Sequence, residues 1–200
     1  GTAHALWQAR DAADEKFLVL SGDNIIDSDT IAPVIDARSS TILVKRQENV
    51  SKYGVVILRE GLVEDIVEKP GEAAGNMVNT GVYAFTREAF DFVKDEVKLT
   101  DAIRKMIVQG CPLAAEETDG TWLDVVYPWD ILRLNNLILT TTSSSLAGTI
   151  ESGCNIKGAV SVGEGSIIRS NCYIVGPVVI GKGCEIGPGV YILPSDSVGY

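Results

Sequence analysis

Several residue types are scarce in this 200-residue chain, and each scarcity removes a class of function. Basic residues number 17 against 27 acidic ones, a net charge of −10. That argues against a nucleic-acid polymer as partner, because phosphate backbones need a basic surface. A mononucleotide needs only a few local donors and stays open. No apolar run approaches the ~20 residues of a membrane-spanning helix, and no secretory signal is visible, so no membrane partner is expected. The four cysteines form neither Cys-x-x-Cys nor a zinc spacing. They are expected to be reduced, small apolar fillers in a cytoplasmic protein. Histidine occurs once, at His4. No Gly-x-Gly-x-x-Gly or Walker segment exists. Even an initiating Met is missing: the chain opens at Gly1, so it is expected to be part of a longer protein.

What is present is order. Ile150, Ile156, Val162, Ile168, Ile174, Ile180, Ile186, Ile192 and Val198 recur every six residues, all β-branched and aliphatic. A six-residue period fits neither a lone helix nor a lone strand. It fits a left-handed parallel β-helix, in which three hexads close one triangular coil. A second column stands four residues on: Cys154, Val160, Ser166, Cys172, Val178, Cys184 and Val190 are all small enough for a tight corner. Gly163, Gly181 and Gly187 follow register positions, where a turning backbone is expected to be helped by a residue without Cβ. Cys154 and Cys172 are eighteen apart, one coil, and should stack. The repeat stops before three full coils without a cap, so it too is expected to continue in a longer protein.

The first part of the chain reads differently. A helix over 2–13, a buried strand at 17–20, a helix over 29–37 capped by Ser28 or Asp29, and a strand at 40–45 form a βαβ alternation. This predicts an α/β fold with a parallel, doubly wound, Rossmann-like sheet. A hairpin at 54–67 turns around Arg59-Glu60-Gly61. A strand at 77–85, helices over 86–94 and 100–109 (the latter capped by Thr100), strands at 112–117 and 121–125, and a helix over 128–139 complete it. A Thr/Ser-rich linker follows. The domains are therefore set at 1–145 and 146–200.

Candidate chemistry sits at strand ends, where ligands collect in open α/β sheets. Asp23 ends Leu20-Ser21-Gly22-Asp23. Asp124 lies on the apolar strand Trp122-Leu123-Asp124, where a charge needs a partner or a metal. Glu68 and Lys69 end an alternating strand; a carboxylate and an ammonium there suit sugar hydroxyls and a phosphate. Asn79-Thr80-Gly81 interrupts a strand, and Gly inside a strand often marks a close approach.

In their order, Gly1-Thr2-Ala3-His4-Ala5, Leu20-Ser21-Gly22-Asp23, Tyr53-Gly54-Val55-Val56, Val67-Glu68-Lys69-Pro70, Asn79-Thr80-Gly81-Val82-Tyr83 and Trp122-Leu123-Asp124 resemble the sugar-1-phosphate nucleotidylyltransferases. The hexapeptide repeat narrows the resemblance to the bifunctional enzymes that make UDP-N-acetylglucosamine, especially the archaeal type. The resemblance implies that Gly1 and Thr2 touch the nucleotide base and that Gly54 meets the sugar through its backbone. Glu68 would bind sugar hydroxyls, Lys69 the phosphate, and Asn79 and Thr80 would wall the sugar pocket. Asp23 and Asp124 would hold Mg²⁺. The implied partners are a nucleoside triphosphate, UTP favoured, and a sugar-1-phosphate, N-acetylglucosamine-1-phosphate favoured. Acetyl-CoA is implied only for the full-length protein, and a homotrimer is expected through the β-helix. The family's Gly-rich phosphate loop, which precedes the Gly-Thr-Ala motif, is not in the chain, so these residues alone are not expected to turn over. Two alternatives remain: a glucose-1-phosphate thymidylyltransferase, and a non-catalytic paralogue that binds nucleotide sugars or serves assembly.

Overall fold

The computed structural model describes residues 1–68, 75–125, 127–194 and 196–199. Its contacts divide into two compact units, Gly1–Asp124 and Val125–Tyr200. The division falls earlier than the boundary near 145 drawn from the Thr/Ser linker, and places the helix at 130–140 with the second unit.

Unit 1 contains α1 (Thr2–Gln8), β1 (Lys16–Val19), β2 (Asn24–Ile26), α2 (Ser28–Asp36), β3 (Thr41–Arg46), β4 (Gly54–Arg59), β5 (Leu62–Glu68), β6 (Met77–Thr86), α3 (Phe90–Val93), α4 (Leu99–Val108), β7 (Ala114–Thr118) and β8 (Trp122–Asp124). Six strands form one sheet in the order β1-β6-β3-β7-β5-β4, and β2 pairs separately with β8. β1 and β3 run the same way, as a βαβ unit requires, but antiparallel β6 lies between them. Only β3 and β7 are parallel neighbours. The sheet is therefore mixed: the parallel pairing expected from the first βαβ alternation is corrected, because β6 separates β1 from β3. The local alternation could not reveal that a later strand inserts between the first two.

Period-two alternation explains why both sheet faces are covered. Ile42, Val44, Tyr83 and Phe85 point into a core with Ala3, Val93, Ala102 and Ile103 from the helices α1, α3 and α4. Leu43, Val82 and Ala84 point the other way, onto Val34 of α2. The doubly wound layering is thus present. The caps differ from expectation. Asp27, rather than Ser28 or Asp29, caps α2 by accepting from the Thr30 amide at 2.8 Å. That bond is the main reason its carboxyl is pulled down to about 2. Thr100 does not cap α4; the Thr2 hydroxyl accepts from the Leu99 amide at 2.9 Å instead, while the Thr100 hydroxyl is buried without a partner.

Unit 2 holds α5 (Asp130–Thr140) and ten short strands: β9 (Ser145–Leu146), β10 (Thr149–Ile150), β11 (Asn155–Lys157), β12 (Val160–Val162), β13 (Ile167–Ile168), β14 (Tyr173–Val175), β15 (Val178–Ile180), β16 (Glu185–Ile186), β17 (Tyr191–Ile192) and β18 (Asp196–Val198). They make three parallel sheets. Ile150 pairs Ile168 and then Ile186; Ile156 pairs Ile174 and then Ile192; Val162 pairs Ile180 and then Val198. Each step is one set of three hexads. The aliphatic column turns inward to make the second core, and the corner column packs there too. Corner side chains share a bond: Cys154, Ser166 and Cys172 donate to the carbonyls of Arg169, Gly181 and Gly187, each fifteen residues on. All four cysteines are free thiols.

The glycine reading holds at Gly163, where a Cβ would not fit, and not at Gly187, where a Cβ would meet nothing within 4 Å. The left-handed φ falls on Gly153, Gly165, Asn171, Gly183 and Gly189, each one residue before a corner position, and not on Gly163, Gly181 or Gly187. Gly163 is required for another reason: a Cβ there would lie 2.5 Å from the Gly181 carbonyl of the next coil.

Candidate functional site

The central sheet has a flaw that builds a cleft. Along the β3–β6 pair, Ile42 faces Tyr83 but Val44 faces Asn79, so β6 carries two extra residues around Thr80–Val82. A bulge re-aims side chains and ends regular pairing. Thr80 points inward and donates to the Leu43 carbonyl at 2.7 Å. Gly81 takes a φ of 78°, and a Cβ there would lie 2.8 Å from the Ser21 hydroxyl. Glycine is thus demanded twice, by backbone conformation and by the approach of the β1 end.

Around this bulge lies a cleft of about 680 Å³ lined by Thr2, Ser21, Glu68, Asn79, Tyr83 and Lys98, among others. Its volume suits a small organic ligand. Glu68 comes from the end of β5, opposite Gly54 of β4. A Cβ on Gly54 would come within 3.7 Å of the Glu68 carboxylate. Asn79 is held by the Tyr83 hydroxyl, at 2.7 Å from its Nδ2. Burial pushes the Tyr83 phenol well above its ordinary range; the Asn79 bond partly opposes this and the nearby Glu68 charge adds to it.

A second cluster lies at the turn after β1. Asn24 of β2 pairs with Asp124 of β8. Its Nδ2 donates to Asp23 Oδ1 at 3.2 Å and to Asp124 Oδ1 at 3.1 Å. Asp124 is one hundred residues from Asn24 in sequence, yet it shares that one amide with Asp23. The clusters adjoin, because a Cβ on Gly81 would reach both Ser21 and, at 3.9 Å, the Asn24 oxygen. Among the described residues no group of three or more His, Cys, Asp or Glu is arranged to hold a metal. Two carboxylates nevertheless suit Mg²⁺, which commonly binds through one or two carboxylates and completes its shell with waters and substrate phosphates.

Of the expected site residues, Thr2, Glu68 and Asn79 share the cleft, Gly54 flanks Glu68, and Asp23 and Asp124 meet at Asn24. Thr80 stands behind the wall, 2% exposed, with its hydroxyl used on β3. Gly1 caps α1 where any Cβ would strike the Val97 carbonyl. Lys69 lies outside the described residues. Sequence reasoning missed Ser21, Lys98, Tyr83 and Asn24 as site residues. Ser21 and Tyr83 stood inside the quoted motifs and Asn24 beside one; Lys98 carried no signal.

A mixed sheet covered by helices on both faces, with two carboxylates on one amide beside a cleft that suits a small organic ligand, is an arrangement compatible with a nucleotide-handling transferase. The comparisons agree: residues 1–141 match the nucleotidyl transferase family, and residues 159–194 match the bacterial transferase hexapeptide (six repeats) family. The chain belongs to the nucleotidyl transferase family. It is 36% identical over 179 residues to the bifunctional protein GlmU of Methanocaldococcus jannaschii, covering 84% of this chain and 42% of that protein. It is 30% identical to the low-salt glycan biosynthesis nucleotidyltransferase Agl11 of Haloferax volcanii, covering 82% of this chain and 50% of that one. A crystal structure from Bacillus anthracis, described as a glucose-1-phosphate thymidylyltransferase in complex with a sucrose, superposes with a TM-score of 0.60 at 25% identity, over 68% of this chain and 60% of that one. The chain spans half or less of these two curated relatives. No helix among the described residues is long and apolar enough to cross a membrane.

Proposed function

We propose that this chain serves nucleotidylyl transfer to a sugar-1-phosphate, with UTP and N-acetylglucosamine-1-phosphate as the favoured pair. The observation that carries the reading is the shared amide: Asp23 and Asp124 converge on Asn24 beside the cleft that holds Glu68 and Asn79. In the reaction a phosphate oxygen of the sugar-1-phosphate attacks the α-phosphorus. The new P–O bond forms as the α–β bridge breaks, and pyrophosphate leaves with its electron pair. Asp23 and Asp124 would hold Mg²⁺, which when bound neutralises phosphate charge. The chain's own groups bind and align. The Glu68 carboxylate accepts from sugar hydroxyls, the Asn79 carboxamide meets a polar ring substituent, and the Lys98 ammonium pairs with phosphate. Thr2 and Gly1 border the base, and Lys69 follows Glu68 as a second phosphate partner.

The parallel 18-residue ladders and the hexapeptide-family match support a left-handed β-helix for unit 2. Its parallel ladders suit a homotrimer, with acetyl-CoA as a partner of the whole protein, as the family resemblance of the hexapeptide repeat implies. The free thiols suit a cytoplasmic setting. A second reading, thymidylyl transfer to glucose-1-phosphate, draws on the Bacillus anthracis neighbour. Titrating UDP-N-acetylglucosamine and dTDP-glucose into the protein with Mg²⁺ separates the two. UDP-N-acetylglucosamine is expected to bind at least tenfold tighter, and Glu68→Gln should weaken it by about tenfold, the loss of one charged hydrogen bond. Equal binding of Glu68→Gln and the parent would remove the sugar cleft from the account.

A further inference from the structure

The reading above uses Asn24 only as the mark of where two carboxylates meet and gives its side chain no task of its own, yet it lies between the two proposed ligands of the ion. A carboxamide presents an acceptor on one side and two donors on the other. The side facing Trp122 is settled by chemistry, because an indole N–H can only donate. Trp122 Nε1 lies 2.7 Å from Asn24 Oδ1 and 2.9 Å from the Thr80 carbonyl. The Asn24 oxygen therefore faces the indole, and its NH₂ faces the carboxylates. Turned over, the amide would set N–H against N–H on one side and oxygen against two carboxylates on the other. Trp122 itself is buried and packs against the Tyr53 ring at 5.3 Å. The donor is thus fixed by a fixed neighbour.

This arrangement separates Asn24 from the ion's own shell. Its oxygen is committed to Trp122, so it acts through Asp23 and Asp124. Two carboxylates brought close without a cation repel. A donor bonded to both offsets that repulsion and holds them at one place.

We propose that Asn24, oriented by Trp122, is a positioning residue that gathers Asp23 and Asp124 for a divalent cation and so sets its affinity. The inference rests on the metal reading given under the proposed function. The test is Mn²⁺ binding by electron paramagnetic resonance, with the metal alone and with UTP present, alongside thermal midpoints. Asn24→Ala should weaken Mn²⁺ binding about tenfold, as expected for loss of charge-assisted bonds. Trp122→Phe keeps an aromatic ring in place but frees the amide to turn, and should weaken binding by a smaller factor. It carries the test if Asn24→Ala does not fold. Affinities within twofold of the parent in the folded variants would overturn the positioning role alone. A parent protein that binds no Mn²⁺ under either condition would overturn the metal reading, and this inference with it.

Discussion

The two units reach similar burial by opposite routes. In unit 2 each core side chain repeats one eighteen residues away, and Ile150, Ile168 and Ile186 stack in a straight line. In unit 1 the core partners lie at no fixed separation: Phe17 stacks on Phe90 at 4.8 Å between ring centroids and meets Phe85 at 6.2 Å. A repeat holds itself together through its neighbours and can lose one coil locally. A mixed sheet with distant partners is expected to stand or fall as a whole. The difference also bears on where the proposed nucleotidylyl site can form. Only the irregular unit brings side chains one hundred residues apart, such as Asn24 and Asp124, into one cluster.

The contrast can be broken by mutation. The largest effect is expected for Phe85→Ala. Phe85 is fully buried and stacks on Tyr83, so the loss should be about 3–5 kcal/mol. Differential scanning calorimetry should show the unit 1 transition falling and the unit 2 transition unmoved; a joint fall would mean that the units unfold together. Ile174→Ala, equally buried in the middle of its ladder, should cost about 2–4 kcal/mol in the second transition alone. Hydrogen exchange should then open first around the Ile156, Ile174 and Ile192 ladder; uniform exchange across unit 2 would contradict neighbour-by-neighbour stability.

The pH dependence sharpens the contrast. The folded Tyr83 phenol titrates above its ordinary value near 10, chiefly through burial. Its contribution is complete below pH 10 and is lost as pH rises beyond it. Unit 1 should therefore weaken at alkaline pH, and Tyr83→Phe should flatten that limb. In unit 2, the Arg169 guanidinium, with help from Ser170, holds the Glu151 carboxyl below the usual range. That contribution is present above the ordinary carboxylate pKa and is lost as pH falls below it. Asp27, pulled down to about 2, gives unit 1 an acid limb as well. The alkaline limb is the discriminating one, and thermal midpoints from pH 4 to 11 would read it. The smallest effect is expected at the β4–β5 turn. Glu60 has a φ of 54° and Gly61 one of 80°. Glu60→Asn suits a two-residue hairpin turn and should stabilise unit 1 by about 0.5 kcal/mol.

How much was legible follows the same divide. The hexads specified the eighteen-residue ladders from Ile150 to Val198, because a periodic core needs only local spacing to be read; the pairing of Leu146 with Val162, sixteen residues on, fell outside them. The hairpin around Glu60-Gly61 was legible from its turn residues. The insertion of β6 between β1 and β3 was not, since no local pattern encodes which strands pair. β2 escaped notice because three residues cannot show an alternation. The α4 cap escaped because Thr2 supplies it from another helix. For the site, ordered motifs located both carboxylates and Glu68. The amide joining Asp23 to Asp124, and Lys98 in the cleft, are products of tertiary pairing alone.

The central claim is that those two strand-end acids share one divalent ion beside the cleft. Anomalous diffraction from crystals soaked with Mn²⁺ and UDP-N-acetylglucosamine tests it directly. The account predicts one strong peak within about 2.5 Å of oxygens from both Asp23 and Asp124, with the sugar against Glu68. A bound nucleotide sugar whose metal peak lies away from either carboxylate would contradict it.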